Sequence, residues 1–162
     1  MRLSNKCRLG QYQFWITLAI MTFVGGIIAF IVERFIYSYL DWEAHLLLII
    51  PSLILIVFIV RGRPIFEYDS DGEVLNFKNR NIVLSSRKHL NDEFPKYKML
   101  NFEILNFVFF RRLYIKIDSK KTTALTLRYD ISYLSSKELK DLRFSLSKVT
   151  NENRKNKERE HS

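Results

Sequence analysis

Polar and apolar positions divide the chain into three regimes. Two nearly unbroken apolar runs come first, Phe14 to Val32 and Trp42 to Val60; short alternating segments continue to about Tyr129, and one stretch of helical period comes last. The first run has no charged residue between Arg8 and Glu33, and the second carries Glu43 and His45 near its start before continuing unbroken from Leu46 to Val60. Each run is close to the roughly 20 residues that take a helix across about 30 Å of hydrocarbon. A core helix of a soluble protein would show a polar stripe every three to four residues, and neither run shows one. The pattern predicts a two-helix membrane hairpin within residues 1–62, with helices over about 12–32 and 42–60.

A secretory leader is the competing account of the first run, because Arg2, Lys6 and Arg8 precede it. The run exceeds the ~7–15 residues of a typical signal core, and no A-x-A cleavage site follows; Glu33, Arg34 and Phe35 come next. Cys7 stands ahead of the run and is the sole cysteine, so it reads as a reduced cytosolic thiol.

Flanking charge sets the expected orientation. Arg2, Lys6 and Arg8 precede the first run, and Arg61 and Arg63 follow the second; the connection between them holds Glu33, Arg34, Asp41 and Glu43. Lysine and arginine gather on the cytoplasmic side, which places both termini inside and the connection outside. Tyr12 and Trp15 fit the inner boundary, and Tyr37, Tyr39 and Trp42 the outer one. Pro51 falls midway along the second run and predicts a kink, while Gly25-Gly26 would allow close helix approach. No acidic residue or lysine lies in either membrane core, Phe14 to Val32 or Leu46 to Val60. Transporters and proton relays keep such groups there, so the hairpin reads as an anchor in a cell (inner) membrane.

Downstream, the segments Ile65 to Tyr68, Glu73 to Lys78, Ile82 to Ser86, Tyr97 to Met99, Asn101 to Phe109, Leu113 to Ile117 and Thr123 to Tyr129 predict about seven strands. Asp69-Ser70-Asp71-Gly72, Asn79-Arg80-Asn81 and Ser119-Lys120-Lys121 read as turns, Arg111-Arg112 as a turn or bulge, and Arg87 to Pro95 as a loop. Ser135 with Glu138 makes a capping box, after which Leu139, Leu142, Leu146 and Val149 share one helical face. Residues 63–150 therefore predict a β-rich (α+β) domain closed by one C-terminal helix, and the polar run 151–162 a disordered, charged tail.

Two membrane helices, about seven short strands and one capped helix resemble the small membrane-anchored bacterial proteins that carry a pleckstrin-homology-like (PH-like) cytosolic domain. The residues behind the resemblance are the Tyr68-Asp69-Ser70-Asp71-Gly72 hairpin, the hairpin spanning Leu113 to Arg128, and the Ile131-Ser132-Tyr133-Leu134-Ser135 lead into the helix. The resemblance implies a strongly bent sheet or barrel plugged at one end by the helix. It also implies a binding or assembly role. The basic phosphoinositide motif of eukaryotic PH domains has no residue-by-residue counterpart here, so no headgroup specificity carries over.

Charge narrows the partners. The chain holds 26 lysines and arginines against 17 acids; setting aside the connection between the runs leaves 25 against 14. Such an excess beside a leaflet of anionic lipid is worth about 1 kcal/mol per nearby lysine or arginine. Nucleic acid attracts the same charge, but a membrane-tethered domain meets anionic lipid headgroups first. The candidate binding residues lie at the expected turns and loop ends: Lys78, Arg80, Arg87, Lys88, Lys96, Lys98, Arg111, Arg112, Lys120 and Lys121. Several such loops on one rim would make an electropositive mouth for lipid phosphates or an acidic protein. The alternative is that these residues merely keep turns solvated. Phe109-Phe110, beside Arg111-Arg112, fits either contact with lipid or packing in the core.

Catalytic patterns are missing from the sequence. Gly62 and Gly72 stand apart from any phosphate-cradling glycine loop. His45, His89 and His161 are widely separated and lack metal-ligand spacing, and Asp69 with Asp71 lacks the remaining ligands of a calcium loop. No cofactor or metal is expected, and the chain reads as a non-enzyme. Three roles fit: a membrane-held binding or assembly module for an unidentified protein partner, a structural subunit packing through its hairpin into a complex or homo-oligomer, or an immunity-type protein that neutralises a toxin at the membrane.

Overall fold

The computed structural model describes residues 1–37, 39–81, 90–119 and 124–160. The chain divides into two compact units, Gly10–Arg61 on the one hand and Met1–Leu9 together with Gly62–Ser162 on the other. The first nine residues, expected to go with the helical hairpin, thus belong with the C-terminal part of the chain.

The first unit is the helical pair. Helix α1 spans Leu9–Val32 and continues through a wider helical turn, Glu33–Tyr37; a short turn, Trp42–His45, leads into α2, Leu46–Arg61. Both are long and apolar enough to cross a membrane. Their side chains point mostly outward, with only Ala19 of α1 and Pro51 of α2 buried. Gly26 lies against the Leu47 carbonyl and 3.0 Å (from an added Cβ) from Pro51 Cγ, whereas Gly25 faces open space. Thr22 and Ser52 return their hydroxyls to carbonyls one turn back, so neither presents an unpaired polar group on an apolar surface.

Among the described residues the second unit holds seven antiparallel strands in two sheets and the C-terminal helix. One sheet has the order β1 (Arg2–Ser4), β2 (Ile65–Asp69), β3 (Val74–Arg80), β4 (Leu90–Pro95); the other has β5 (Met99–Asn106), β6 (Arg111–Ile117), β7 (Leu125–Asp130). The two sheets do not join into a closed barrel among the described residues. The seven strands among the described residues differ in membership from the about seven that the sequence predicts. Strand β1, placed ahead of the apolar runs, was not expected; it pairs with β2 in the register Leu3↔Tyr68. Strand β4 occupies the stretch read as loop, with Leu90 and Phe94 set opposite Asn79 and Leu75 of β3. The expected turn at Asn79-Arg80 is the end of β3, and Arg111-Arg112 opens β6 opposite Asn106 and Leu105. The expected strand Ile82 to Ser86 lies outside the described residues.

Period-2 alternation builds the core. Leu75, Phe77 and Asn79 of β3 point inward, as do Leu113, Ile115 and Ile117 of β6. Phe77 stacks on Tyr129 with centroids 4.9 Å apart and on Phe94 at 5.7 Å, and it tilts against Tyr68 at 5.0 Å. Burying an aromatic ring this fully contributes roughly 1.5–3 kcal/mol.

Helix α3 (Ser136–Glu160) closes the core with Leu142, Leu146 and Val149. Its start is the expected capping box: the Glu138 amide donates to Ser135 Oγ over 3.3 Å, and Glu138 Oε2 accepts from the Ser135 amide over 2.7 Å. Helix α3 runs on to Glu160, where the sequence reading expected a disordered tail from Asn151. Its extension is anchored by Asn153, whose Nδ2 donates to the carbonyls of Lys96 and Met99 over 2.6 and 2.8 Å.

Candidate interaction surface

Strand direction sorts the basic residues into two ends of the β-domain. The chain enters from α2 at Gly62, so the start of β2, the end of β3, the start of β4, the β5–β6 turn and the end of β7 share one end. Asn79 ties that end together: its Nδ2 donates to the carbonyls of Ile65 and Asp130, and its Oδ1 accepts from the Asp130 amide. The opposite end holds the β2–β3 turn and the short helical turn Lys96–Lys98, joined by the Lys96 amide donating to the Glu73 carbonyl.

Of the ten candidates, Arg80, Arg111 and Arg112 lie at the entry end, and Lys96 and Lys98 at the far end. Lys78 sits along β3 opposite Glu67. Arg87, Lys88, Lys120 and Lys121 fall outside the described residues. The six described candidates therefore do not share a single rim.

At the entry end the arginines surround one carboxylate. Asp130, its side chain only 5% exposed, has Arg112 Nε at 3.5 Å, Arg63 Nη1 at 3.7 Å and Arg128 Nη2 at 4.0 Å, and it accepts from the Arg63 amide over 3.3 Å. A buried carboxylate is costly unless paired, and three guanidinium groups meet that need. Sequence reading named Arg112 as a binding residue and missed Arg63 and Arg128; a lone aspartate at a strand end gave no signal that cations would converge on it. Gly62 permits the arrangement, since its φ of +79° and its contact with Asp130 both exclude a larger residue.

Beside this cluster an open cleft of about 450 Å³ lies between β4 and β7, lined by Arg63, Leu90, Asp92, Thr126, Leu127, Arg128 and Asp130. Two arginines face two aspartates there, a balanced lining and not an anion cradle. Tyr129 donates to Asp92 Oδ2 over 2.8 Å on the cleft wall. Burial, together with that bond to a carboxylate, pushes the Tyr129 phenol far above its ordinary value.

Where the chain leaves toward α1, Arg8 Nη2 pairs with Glu138 Oε1 over 3.0 Å. Burial raises the Glu138 carboxyl, but the bonds from Ser135 and the Arg8 charge outweigh it and hold the group below its usual range. Asn5, fully buried, fastens the same stretch: its Nδ2 donates to the Pro64 carbonyl over 2.7 Å, and its Oδ1 accepts from the Phe66 amide over 2.8 Å.

Among the described residues, no three His, Cys, Asp or Glu side chains gather as metal ligands would. Cys7 is exposed and His45 stands in the helical unit. No known protein family, curated protein or solved structure matches the chain.

Proposed function

We propose that this protein is a membrane-anchored, non-catalytic binding or assembly module, presenting a basic PH-like domain at the cytoplasmic face of a cell membrane. The pairing of β1 with β2 carries the reading. The two apolar helices are inserted between adjacent strands of one sheet, so the residues before α1 and after α2 are fastened within the same domain. A chain built this way must cross a bilayer an even number of times, which supports a two-pass hairpin with both termini on the arginine-rich, cytoplasmic side. The outward-facing apolar side chains of α1 and α2 support lipid as their surroundings. Seven strands and a closing helix among the described residues are in keeping with the PH-like resemblance.

The test is alkaline carbonate extraction of the full-length chain, with protease added to intact cells and to inverted vesicles. Retention in the membrane, with digestion of the C-terminal domain only in inverted vesicles, is the expected result. Release by carbonate, or digestion in intact cells, overturns the proposal. The module reading further expects charge reversal at Lys96, Lys98, Lys120 and Lys121 to abolish capture of a protein partner without affecting insertion.

Gly25 favours a second reading. Gly26 is used inside the hairpin, but Gly25 leaves an open small-residue face on α1, suited to a neighbouring helix of a complex or of a second copy. Co-purification of a partner with the detergent-solubilised hairpin alone supports this role, and recovery only with the β-domain refutes it.

A further inference from the structure

The β5–β6 turn departs from the chemistry that tight turns ordinarily use. The Phe107 amide donates to the Phe110 carbonyl over 2.9 Å, so Val108 and Phe109 alone reverse the chain. Two-residue hairpin turns favour glycine, asparagine and aspartate, which adopt the required backbone at little cost. Here the turn is Val-Phe, flanked by two more phenylalanines. Val108 is 91% exposed, Phe109 60% and Phe107 55%. The other strongly exposed apolar side chains described in this unit, such as Tyr97 and Phe144, stand singly.

Support behind the turn is rigid. Phe107 and Phe110 pack with centroids 4.6 Å apart, and the Arg112 guanidinium lies 4.2 Å from the Phe110 ring centre. Arg112 is held in turn by Asp130, and the Arg111 amide donates to Ser132 Oγ over 3.0 Å. The apolar tip is therefore presented by a fixed base and does not fold back into the core.

Its position selects the occupant. The same Asp130 touches Gly62, the first residue after α2. Arg111 Nη1 reaches the Leu134 carbonyl at 3.5 Å, one residue from Ser135, which with Glu138 and Arg8 marks the departure toward α1. The tip thus projects from the end of the β-domain at which the chain enters and leaves both apolar helices. Exposed aromatic and aliphatic residues ahead of arginines form the pattern of an interfacial membrane contact, in which rings enter the headgroup boundary and cations meet lipid phosphates.

Resting on the membrane-anchored reading above, we propose that Phe107, Val108 and Phe109 form a wedge that enters the interfacial layer of an anionic bilayer, a third membrane contact beside the two helices. The tip would settle about 5–10 Å into the boundary of headgroups and acyl chains.

The test uses the full-length chain with Cys7→Ser, which removes the sole cysteine, and an environment-sensitive fluorophore on Val108→Cys or, as the far-end control, on Glu73→Cys. Both are reconstituted in phosphatidylcholine–phosphatidylglycerol vesicles whose lipids carry nitroxides near the top or near the end of the acyl chain. A blue-shifted emission at 108, quenched several-fold more by the shallow nitroxide than emission at 73, is the expected result. Emission at 108 as red and unquenched as at 73 overturns the wedge, while carbonate-resistant retention of the same sample leaves the anchor standing. Blue-shifted emission insensitive to both nitroxides means that protein covers the tip, and it also overturns the lipid assignment. Release of the chain by carbonate removes the anchor and the wedge together.

Discussion

Gly62 and Asp130 touch so closely that a Cβ on the glycine would fall 2.5 Å from the aspartate Cγ. The contact joins the first residue after α2 to the last residue of β7, and through Asp130 to Arg63, Arg112 and Arg128. The start of the domain and the arrangement of its arginines are thereby fixed together.

Gly62→Ala should destabilise the domain more than Gly72→Ala. Both glycines have positive φ, +79° and +69°, and a residue with a side chain costs about 1 kcal/mol or more there. Only Gly62 also meets a neighbour, since Gly72 faces open space. Thermal unfolding of the two full-length variants in detergent checks the order. Equal shifts would mean that the contact with Asp130 adds nothing to the backbone cost.

Asn5→Ala should loosen the segment ahead of α1 from β2. The substitution deletes two buried side-chain hydrogen bonds and orphans the Pro64 carbonyl and the Phe66 amide. Leaving a buried group unsatisfied costs about 1–3 kcal/mol. Amide hydrogen exchange at Phe66 should accelerate markedly, and unchanged protection there would contradict the clamp.

Tyr129→Phe removes one hydrogen bond to a carboxylate, worth about 1.5–3 kcal/mol, and keeps the stacking on Phe77. It should also alter alkaline behaviour. Burial raises the phenols of both Tyr68 and Tyr129 above the ordinary value near 10. A group whose pKa is raised by folding lends stability that is full below its unfolded value and is lost as pH climbs above it toward the folded value. Stability of the natural chain should therefore decline above about pH 10, and Tyr129→Phe should decline less steeply. Denaturant titrations between neutral and alkaline pH measure the difference.

Gly26→Leu should separate α1 from α2, because the new side chain collides with the Leu47 carbonyl and Pro51. Gly25→Leu should leave the pair intact. Energy transfer between labels placed on the two helices reports the spacing, and a loss of proximity in the Gly25 variant instead would invert the assignment.

Local pattern made much of the architecture legible. Unbroken apolarity in the two runs fixed the long helices, because such surfaces have no polar stripe to turn toward water. Ser135 and Glu138 fixed the start of α3 through their reciprocal hydrogen bonds, and alternation exposed β6.

Local pattern was insufficient where partners are distant in the chain. Strand β1 has three residues and little periodicity, and only its pairing with β2, more than sixty positions later, makes it a strand. Strand β4, Leu-Asn-Asp-Glu-Phe-Pro, looks like a loop because just two of its side chains meet the core. Asn79 has the chemistry of a turn residue, yet it is buried as a bridge between β2 and β7. Asn153 gains its role from carbonyls contributed by Lys96 and Met99.

The sequence by itself determined the two long apolar helices, the β-rich character of the domain beyond Gly62, the capped helix and the basic balance, each a property of neighbours within a few residues. Tertiary structure alone decided that the segment before the helices belongs to the domain after them, that Arg112 serves Asp130, and that Phe107 to Phe109 stand outside the core. Hydrogen bonds and ion pairs between remote positions depend on where the backbone brings them, and no short-range period encodes that meeting.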